Sequence, residues 1–294
     1  MLTREVLRQV RRLQLRARRA VEDPLGGAYR SVFKGSGIAF EEVREYQPGD
    51  DIRSIDWNVT ARMGHPFIKR YVEERELTVM LLVDASASLG FSSAEQTKRD
   101  VVAEIGALLT LCAAGSNDRI GVVMCTDRVE KFVPPRKGAR HALRVIRDLF
   151  VFRPEHAGTD LRAGLDFVNR VTRRRVLLFL FSDFLATGYE RALERTGHRH
   201  DVVAVVVSDP REHELPPVGL LEVQDAETGQ QLIIDTSSTR FREAFRRRQV
   251  ERRQAFEQRA RGHRIDVLDV STAGQHLDAL IRFFRRRERR LRRT

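Results

Sequence analysis

Asp84, Ser86 and Ser88 close a continuous apolar run over 77–83, and their D-x-S-x-S spacing puts them on one side of a turning loop. Thr159 and Asp160 follow Gly158 at the head of an amphipathic stretch, and Ser182-Asp183 closes a second apolar run. All of these are hard oxygen donors. A small hard cation such as Mg²⁺ takes near-octahedral oxygen ligands and keeps several waters, so the set suits one ion where three element ends meet. Each residue also has a local reading, because Ser, Thr and Asp are common helix N-caps. Asp160 competes with Thr159 as the useful side chain of its loop.

Other chemistries find less support. His156 has the spacing of a loop base near Thr159, but a loop histidine of this kind is commonly only solvated. Gly35-Ser36-Gly37 imitates a phosphate loop without the G-x-G-x-x-G or G-x-x-x-x-G-K-[ST] pattern. The two cysteines, Cys112 and Cys125, lie in apolar surroundings without metal-ligand spacing. A disulfide scaffold is thereby excluded, and a reducing cytoplasm is the expected compartment.

The chain of 294 residues carries a net charge of +12, which suggests nucleic acid until the charge is located. Residues 1–20 hold seven Arg against Glu5, and residues 240–294 hold 18 Arg against seven acids, so the body between them is mildly acidic. A nucleic-acid domain spreads its basic residues over a folded face and intersperses stacking aromatics. Solvated arginine-rich helices are the simpler expectation, and the run over 285–293 reads as a solvated tail. No apolar stretch approaches the ~18 residues of a spanning helix.

The elements that must position the oxygen donors follow from periodicity. Residues 2–20 read as an amphipathic helix on Leu2, Val6, Val10, Leu13 and Ala17, ended by Pro24 and Gly26-Gly27. The N-terminal segment thus spans 1–27. Residues 28–75 read as a small β-rich annex with β-type pieces at 29–33, 38–43 and 67–71, a helical turn near 53–57 and Trp57 in its core. From 76 onward strands and helices alternate. Continuous apolar runs at 77–83, 175–181 and 202–207 are strands buried on both faces. Residues 120–125 and 129–133 form an antiparallel edge pair, 219–235 a β-hairpin insertion, and 275–292 a terminal helix docked through Phe283 and Phe284. This pattern means an α/β fold with a mostly parallel sheet and helices on both faces, whose ligands bind at strand carboxyl ends.

Asp84-x-Ser86-x-Ser88, Thr159 and Asp183 resemble the three-part metal-ion-dependent adhesion site of von Willebrand factor A domains. The annex segment Arg44-Glu45-Tyr46-Gln47-Pro48-Gly49-Asp50-Asp51-Ile52-Arg53-Ser54-Ile55-Asp56-Trp57, followed by Thr60-Ala61-Arg62, is similar to the hallmark of the bacterial family known as domain of unknown function 58. Ser182-Asp183-Phe184, Asp209-Pro210-Arg211-Glu212 and the hairpin tip at 225–229 are similar to it too. The resemblance covers about 28–290 and implies a von Willebrand factor A-like fold. It implies that Asp84, Ser86 and Ser88 hold Mg²⁺ or Mn²⁺, that Thr159 joins directly or through water, and that Asp183 acts mostly through water. Phe184 stands where typical adhesion sites have Gly. Many family members carry transmembrane helices ahead of this region, where this chain has a basic amphipathic segment.

The implied role is a protein-interaction module, not an enzyme. One directly placed carboxylate among neutral hydroxyls leaves an ion electrophilic and ready for a partner's Asp or Glu. The resemblance names a MoxR-type AAA+ ATPase and its client protein as partners. Two rivals stay open: a Mg²⁺-dependent phosphatase or phosphotransferase using Asp84, and nucleic-acid or anionic-surface binding through the arginine-rich ends.

Overall fold

The computed structural model describes residues 25–33, 42–70, 76–274 and 276–291. The expected helix over 2–20, the Gly35-Ser36-Gly37 turn and parts of the annex lie outside these residues.

Leu25–Phe33 forms a helix, α1. A β-type piece was expected at 29–33 and a helix end at Gly26-Gly27; instead both glycines lie in the first turn of α1. The residue types there suit a strand, but Leu25, Tyr29 and Val32 recur at helical spacing and are buried, so tertiary burial decides the outcome. The annex proper is short. Strands β1 (Glu42–Glu45) and β2 (Phe67–Arg70) pair antiparallel around a 3₁₀ turn at Ile52–Ser54 and helix α2, Trp57–Met63. Two acids of its hallmark segment act as caps. Asp51 accepts from the Arg53 N–H, and Asp56 from the N–H groups of Asn58 and Val59. Trp57, expected in a core, is 67% exposed, because its place on the first turn of a seven-residue helix turns it outward.

The main body alternates as the periodicity requires. Its strands are β3 (Thr78–Asp84), β4 (Arg119–Cys125), β5 (Val129–Arg136), β6 (Leu177–Ser182), β7 (Asp201–Ser208) and β10 (Asp266–Ser271). The hairpin strands β8 (Leu220–Gln224) and β9 (Gln231–Asp235) form a separate two-stranded sheet. The helices are α3 (Lys98–Gly115), α4 (Ala139–Val151), α5 (Leu161–Val171), α6 (Glu190–Arg199), α7 (Pro210–His213), α8 (Thr239–Gly262) and α9 (His276–Leu291).

The central sheet runs β10-β7-β6-β3-β4-β5, parallel except for the antiparallel edge strand β5. Alternation along β3 sends Val79, Leu81 and Val83 to one face, with α1, α3, α4 and α9, and Met80 and Leu82 to the other, with α5, α6 and α8. The chain moves from β3 outward to β4 and β5, then returns across β3 to β6. This reversal makes β3 and β6 the topological switch point, where open α/β sheets present their ligand crevice.

The arginine run at 285–293 is not a free tail where it is described. Arg287, 8% exposed, bridges Asp201 (2.5 Å) and Asp266 (2.7 Å), and its guanidinium lies 4.6 Å from the centre of the Phe33 ring. Arg290 bonds Asp266 as well. The last helix uses its charge to close the lower end of the sheet.

Candidate metal centre

Asp84 ends β3 and is 2% exposed. Its Oδ1 accepts from the Ser86 N–H (3.0 Å) and its Oδ2 from the Ser182 hydroxyl (2.7 Å), so the last residue of β6 steadies the last residue of β3. Burial, followed by the charge of Asp183, pushes its pKa up to about 6. Ser88 donates to Asp183 Oδ2 at 2.8 Å. With its proton committed there, Ser88 accepts from Ser86, whose Oγ lies 3.2 Å away. Asp84, Ser86, Ser88 and Asp183 thus meet at the ends of two neighbouring strands.

Thr159 comes from the loop before α5, which is tied to the same place through an Ala87 N–H to Ala157 carbonyl bond of 3.0 Å. Its hydroxyl donates to Glu227 on the β8–β9 hairpin. Asp160, its rival, caps α5 by accepting from the Ala163 N–H (3.2 Å), with Arg162 beside it. Asp160 is therefore a helix cap. The His156 N–H donates to Glu130 (3.1 Å), which anchors that loop through its backbone.

Lys98 was not singled out from the sequence. It opens α3 with no exposed surface, and its ammonium lies 2.8 Å from Asp183 Oδ2 and 2.5 Å from Glu212 Oε1. Desolvation works against its charge, but Asp183 and Glu212 outweigh it and raise its pKa. Glu212 also accepts from the Asp209 N–H at 2.9 Å, completing the capping box of α7. Asp209 accepts from Ser93 (2.5 Å) and Thr272 (2.7 Å). Burial opposes its ionisation, yet these bonds hold its pKa at about 2. The Asp209-Pro210-Arg211-Glu212 motif thereby buttresses Asp183 through Lys98. A cleft of about 320 Å³ opens beside Asp183, lined by Phe184, Leu185, Val207, Glu212 and Arg252 among others.

Phe184 adopts the conformation that its glycine counterpart would favour, with φ of 54°. Its ring is buried, 4.5 Å from that of Phe256 and 5.9 Å from that of Tyr189. Ring packing here offsets the steric cost of a left-handed backbone in an L-residue. A non-glycine residue therefore holds the left-handed position after Asp183.

Chemically, the cluster offers oxygen donors only, with one deeply buried carboxylate met by hydrogen bonds alone. Among the described residues no group of three or more His, Cys, Asp or Glu gathers as a metal site, so a cation here would depend on the hydroxyls. Such a set suits a small hard ion better than a borderline one.

The family described as "Protein of unknown function DUF58" matches residues 42–255. The chain belongs to the DUF58 family. An uncharacterized protein of Mycobacterium bovis is 34% identical over 285 residues, covering 95% of this DUF58 chain and 89% of that protein. Solved structures similar to it include BatB from Bacteroides thetaiotaomicron (13% identity, TM-score 0.49, 72% of this chain and 99% of that one). The SpRpn10 VWA domain is similar at 10% identity and a TM-score of 0.39, covering 70% and 94%. Among the described residues no helix of this DUF58 chain is long and apolar enough to cross a membrane.

Proposed function

We propose that this chain is a metal-dependent protein-interaction module whose binding face is the carboxyl end of β3 and β6. The observation that carries the reading is the hydrogen-bonded set Asp84, Ser86, Ser88 and Asp183 at the switch point of the sheet. Asp84, Ser86 and Ser88 would hold Mg²⁺ or Mn²⁺, with Thr159 and Asp183 beside them. When bound, the ion supplies a Lewis-acidic centre for a carboxylate. The chain's own groups do the rest. Ser182 fixes Asp84, Ser88 fixes Asp183, and Lys98 neutralises Asp183, so the net negative charge facing the cation is low. A centre of this kind retains appetite for an acidic side chain.

The partner we infer is a MoxR-type AAA+ ATPase acting with a client protein, on the strength of the family resemblance; the Asp or Glu that binds is inferred from the donor set. A cytoplasmic setting agrees with two buried, unpaired thiols. Catalysis on a phosphoester would need a placed base besides the ion, and the groups that meet Asp84 are the Ser86 N–H and the Ser182 hydroxyl, neither of which is one. Nucleic-acid binding is disfavoured because several arginines of the C-terminal region, Arg253, Arg259, Arg261, Arg287 and Arg290, are paired with acids of the fold.

Titration calorimetry with Mg²⁺ and Mn²⁺ tests the site: wild type should bind and Asp84→Ala should not, and equal binding by both would refute it. Capture of the ATPase with and without chelator tests the partner. The Ser86→Ala/Ser88→Ala variant should lose ~2–5 kcal/mol of partner affinity, roughly 30- to several-thousand-fold. A complex indifferent to chelator and to this variant would shift docking to the annex around 44–62.

A further inference from the structure

The β8–β9 hairpin stands apart from the main sheet. Among the described residues its two strands pair only with each other, and Leu220 and Ile233 face solvent. A two-stranded sheet of this length is marginal by itself. Its root is held by the Thr236 N–H, which donates to the Gly219 carbonyl at 2.7 Å, and by the Val218 N–H on Thr236 Oγ1 at 3.1 Å. Its tip is ordered by its own bonds. Asp225 Oδ1 accepts from the N–H groups of Glu227 (2.9 Å) and Thr228 (2.8 Å), and the Gly229 N–H returns to the Asp225 carbonyl (2.8 Å). Gly229, at φ of 72°, supplies the left-handed residue that this turn requires.

The arm therefore carries a preformed tip, and the side chain it presents is Glu227. That carboxylate accepts from the Thr159 hydroxyl, 68 residues away in sequence and one of the donors of the candidate metal centre. An acid brought to this position has the chemistry expected of an acidic partner. It also adds a carboxylate to a donor set in which Lys98 already offsets Asp183. The contact leaves the lone pairs of Thr159 available, because its proton is directed to Glu227.

We propose that Glu227 is the chain's own carboxylate for this centre: with no partner bound, the hairpin tip holds it against Thr159, and an acidic partner engages the centre by displacing it. The proposal rests on the metal reading given above. It makes the hairpin a competitor built into the fold, so that partner affinity reports the difference between two carboxylates.

Mn²⁺ alone is the probe. Glu227→Gln keeps the size of the side chain and removes its charge, and its exposed position leaves folding unaffected. In this variant Mn²⁺ should bind about 10-fold more weakly than in wild type. Water-proton relaxation by the bound ion should rise as water takes the vacated place. Acetate should then suppress that relaxation at lower concentration in Glu227→Gln than in wild type. Hydrogen exchange over 220–235 should slow on adding Mn²⁺ in wild type and stay unchanged in the variant. If Glu227→Gln matches wild type in affinity, relaxation and exchange while Asp84→Ala abolishes binding, the hairpin proposal falls and the metal reading stands. If Asp84→Ala binds Mn²⁺ as wild type does, the metal reading itself falls.

Discussion

The ammonium of Lys98 lies 2.8 Å from Asp183 Oδ2 with none of its surface exposed. A cation at the first turn of a helix opposes the helix dipole, so the position is unfavourable unless an acid answers it. Here Asp183 and Glu212 both do. The pair ties the start of α3 to the end of β6 and sets the charge seen by the oxygen cluster.

Lys98→Met should therefore destabilise the chain by ~3–5 kcal/mol, since it strands two acids in a poorly solvated site. Urea denaturation measures this. Added Mg²⁺ should recover part of the loss in Lys98→Met and none in the Lys98→Met/Asp84→Ala double variant. A loss below ~1 kcal/mol would mean that the pair is solvated after all.

At Phe184 the usual ranking of two substitutions should invert. Phe184→Ala forfeits the ring packing at ~3–5 kcal/mol and keeps the left-handed backbone. Phe184→Gly forfeits the same ring but relieves ~1 kcal/mol of backbone cost. The glycine variant should be the more stable of the two by equilibrium unfolding, and the opposite order would show that the backbone relaxes once the ring is gone.

Arg287→Ala should cost ~2–4 kcal/mol, chiefly by leaving Asp201 without its cation, since Arg290 still meets Asp266. Exposed Arg285 and Arg289 on the same helix serve as controls, each expected within ~0.5 kcal/mol of wild type on replacement by Ala. Deleting 286–294 should likewise lower the melting temperature. An unchanged melting temperature would restore the reading of this segment as a solvated tail.

His200 gives stability a pH dependence. Burial, then the charges of Arg199 and Arg175, lowers its pKa from 6.5 to about 4. The Val176 N–H donates to Nδ1 (3.3 Å), so that nitrogen carries a lone pair; Nε2 carries the proton and donates to Thr172 Oγ1 (3.2 Å), whose own hydrogen goes to the Val168 carbonyl. The folded state thus holds neutral imidazole while the unfolded chain takes up a proton near pH 6.5. The contribution is complete above pH 6.5 and is lost as pH falls toward 4, at up to ~1.4 kcal/mol per pH unit. His200→Gln should flatten the stability profile in that window, and an unchanged profile would assign the dependence elsewhere.

The strands β3, β6 and β7 were legible because burial on both faces demands unbroken apolar runs, and few other elements produce them at that length. The place of Asp84 and Asp183 at the ends of β3 and β6 was legible with them, since the runs stop at those residues. Helix α1 was misread because Tyr29, Val32 and Phe33 are good strand residues, and the partners that make it a helix lie in α3 and α9, far along the chain. Lys98 was hidden between Thr97, whose side chain caps α3 by accepting from the Asp100 N–H, and Arg99, where a lysine looks solvated; its place against the helix dipole was the available signal. Glu227 left no such signal, since its reach to Thr159 depends on how the hairpin leans.

The two borders of the central sheet also constrain how this protein meets others. β5, an edge strand of the sheet, carries Pro134 and Pro135, and proline has no N–H to offer a neighbouring strand. The opposite border, β10, bears Asp266 and Asp269 among its six residues, and Arg286 donates to its Val267 carbonyl. Both borders are thus poor templates for an added strand. Copies of the chain should not grow into ribbons by sheet extension even at high concentration, and a partner is left to read the strand ends and helix faces.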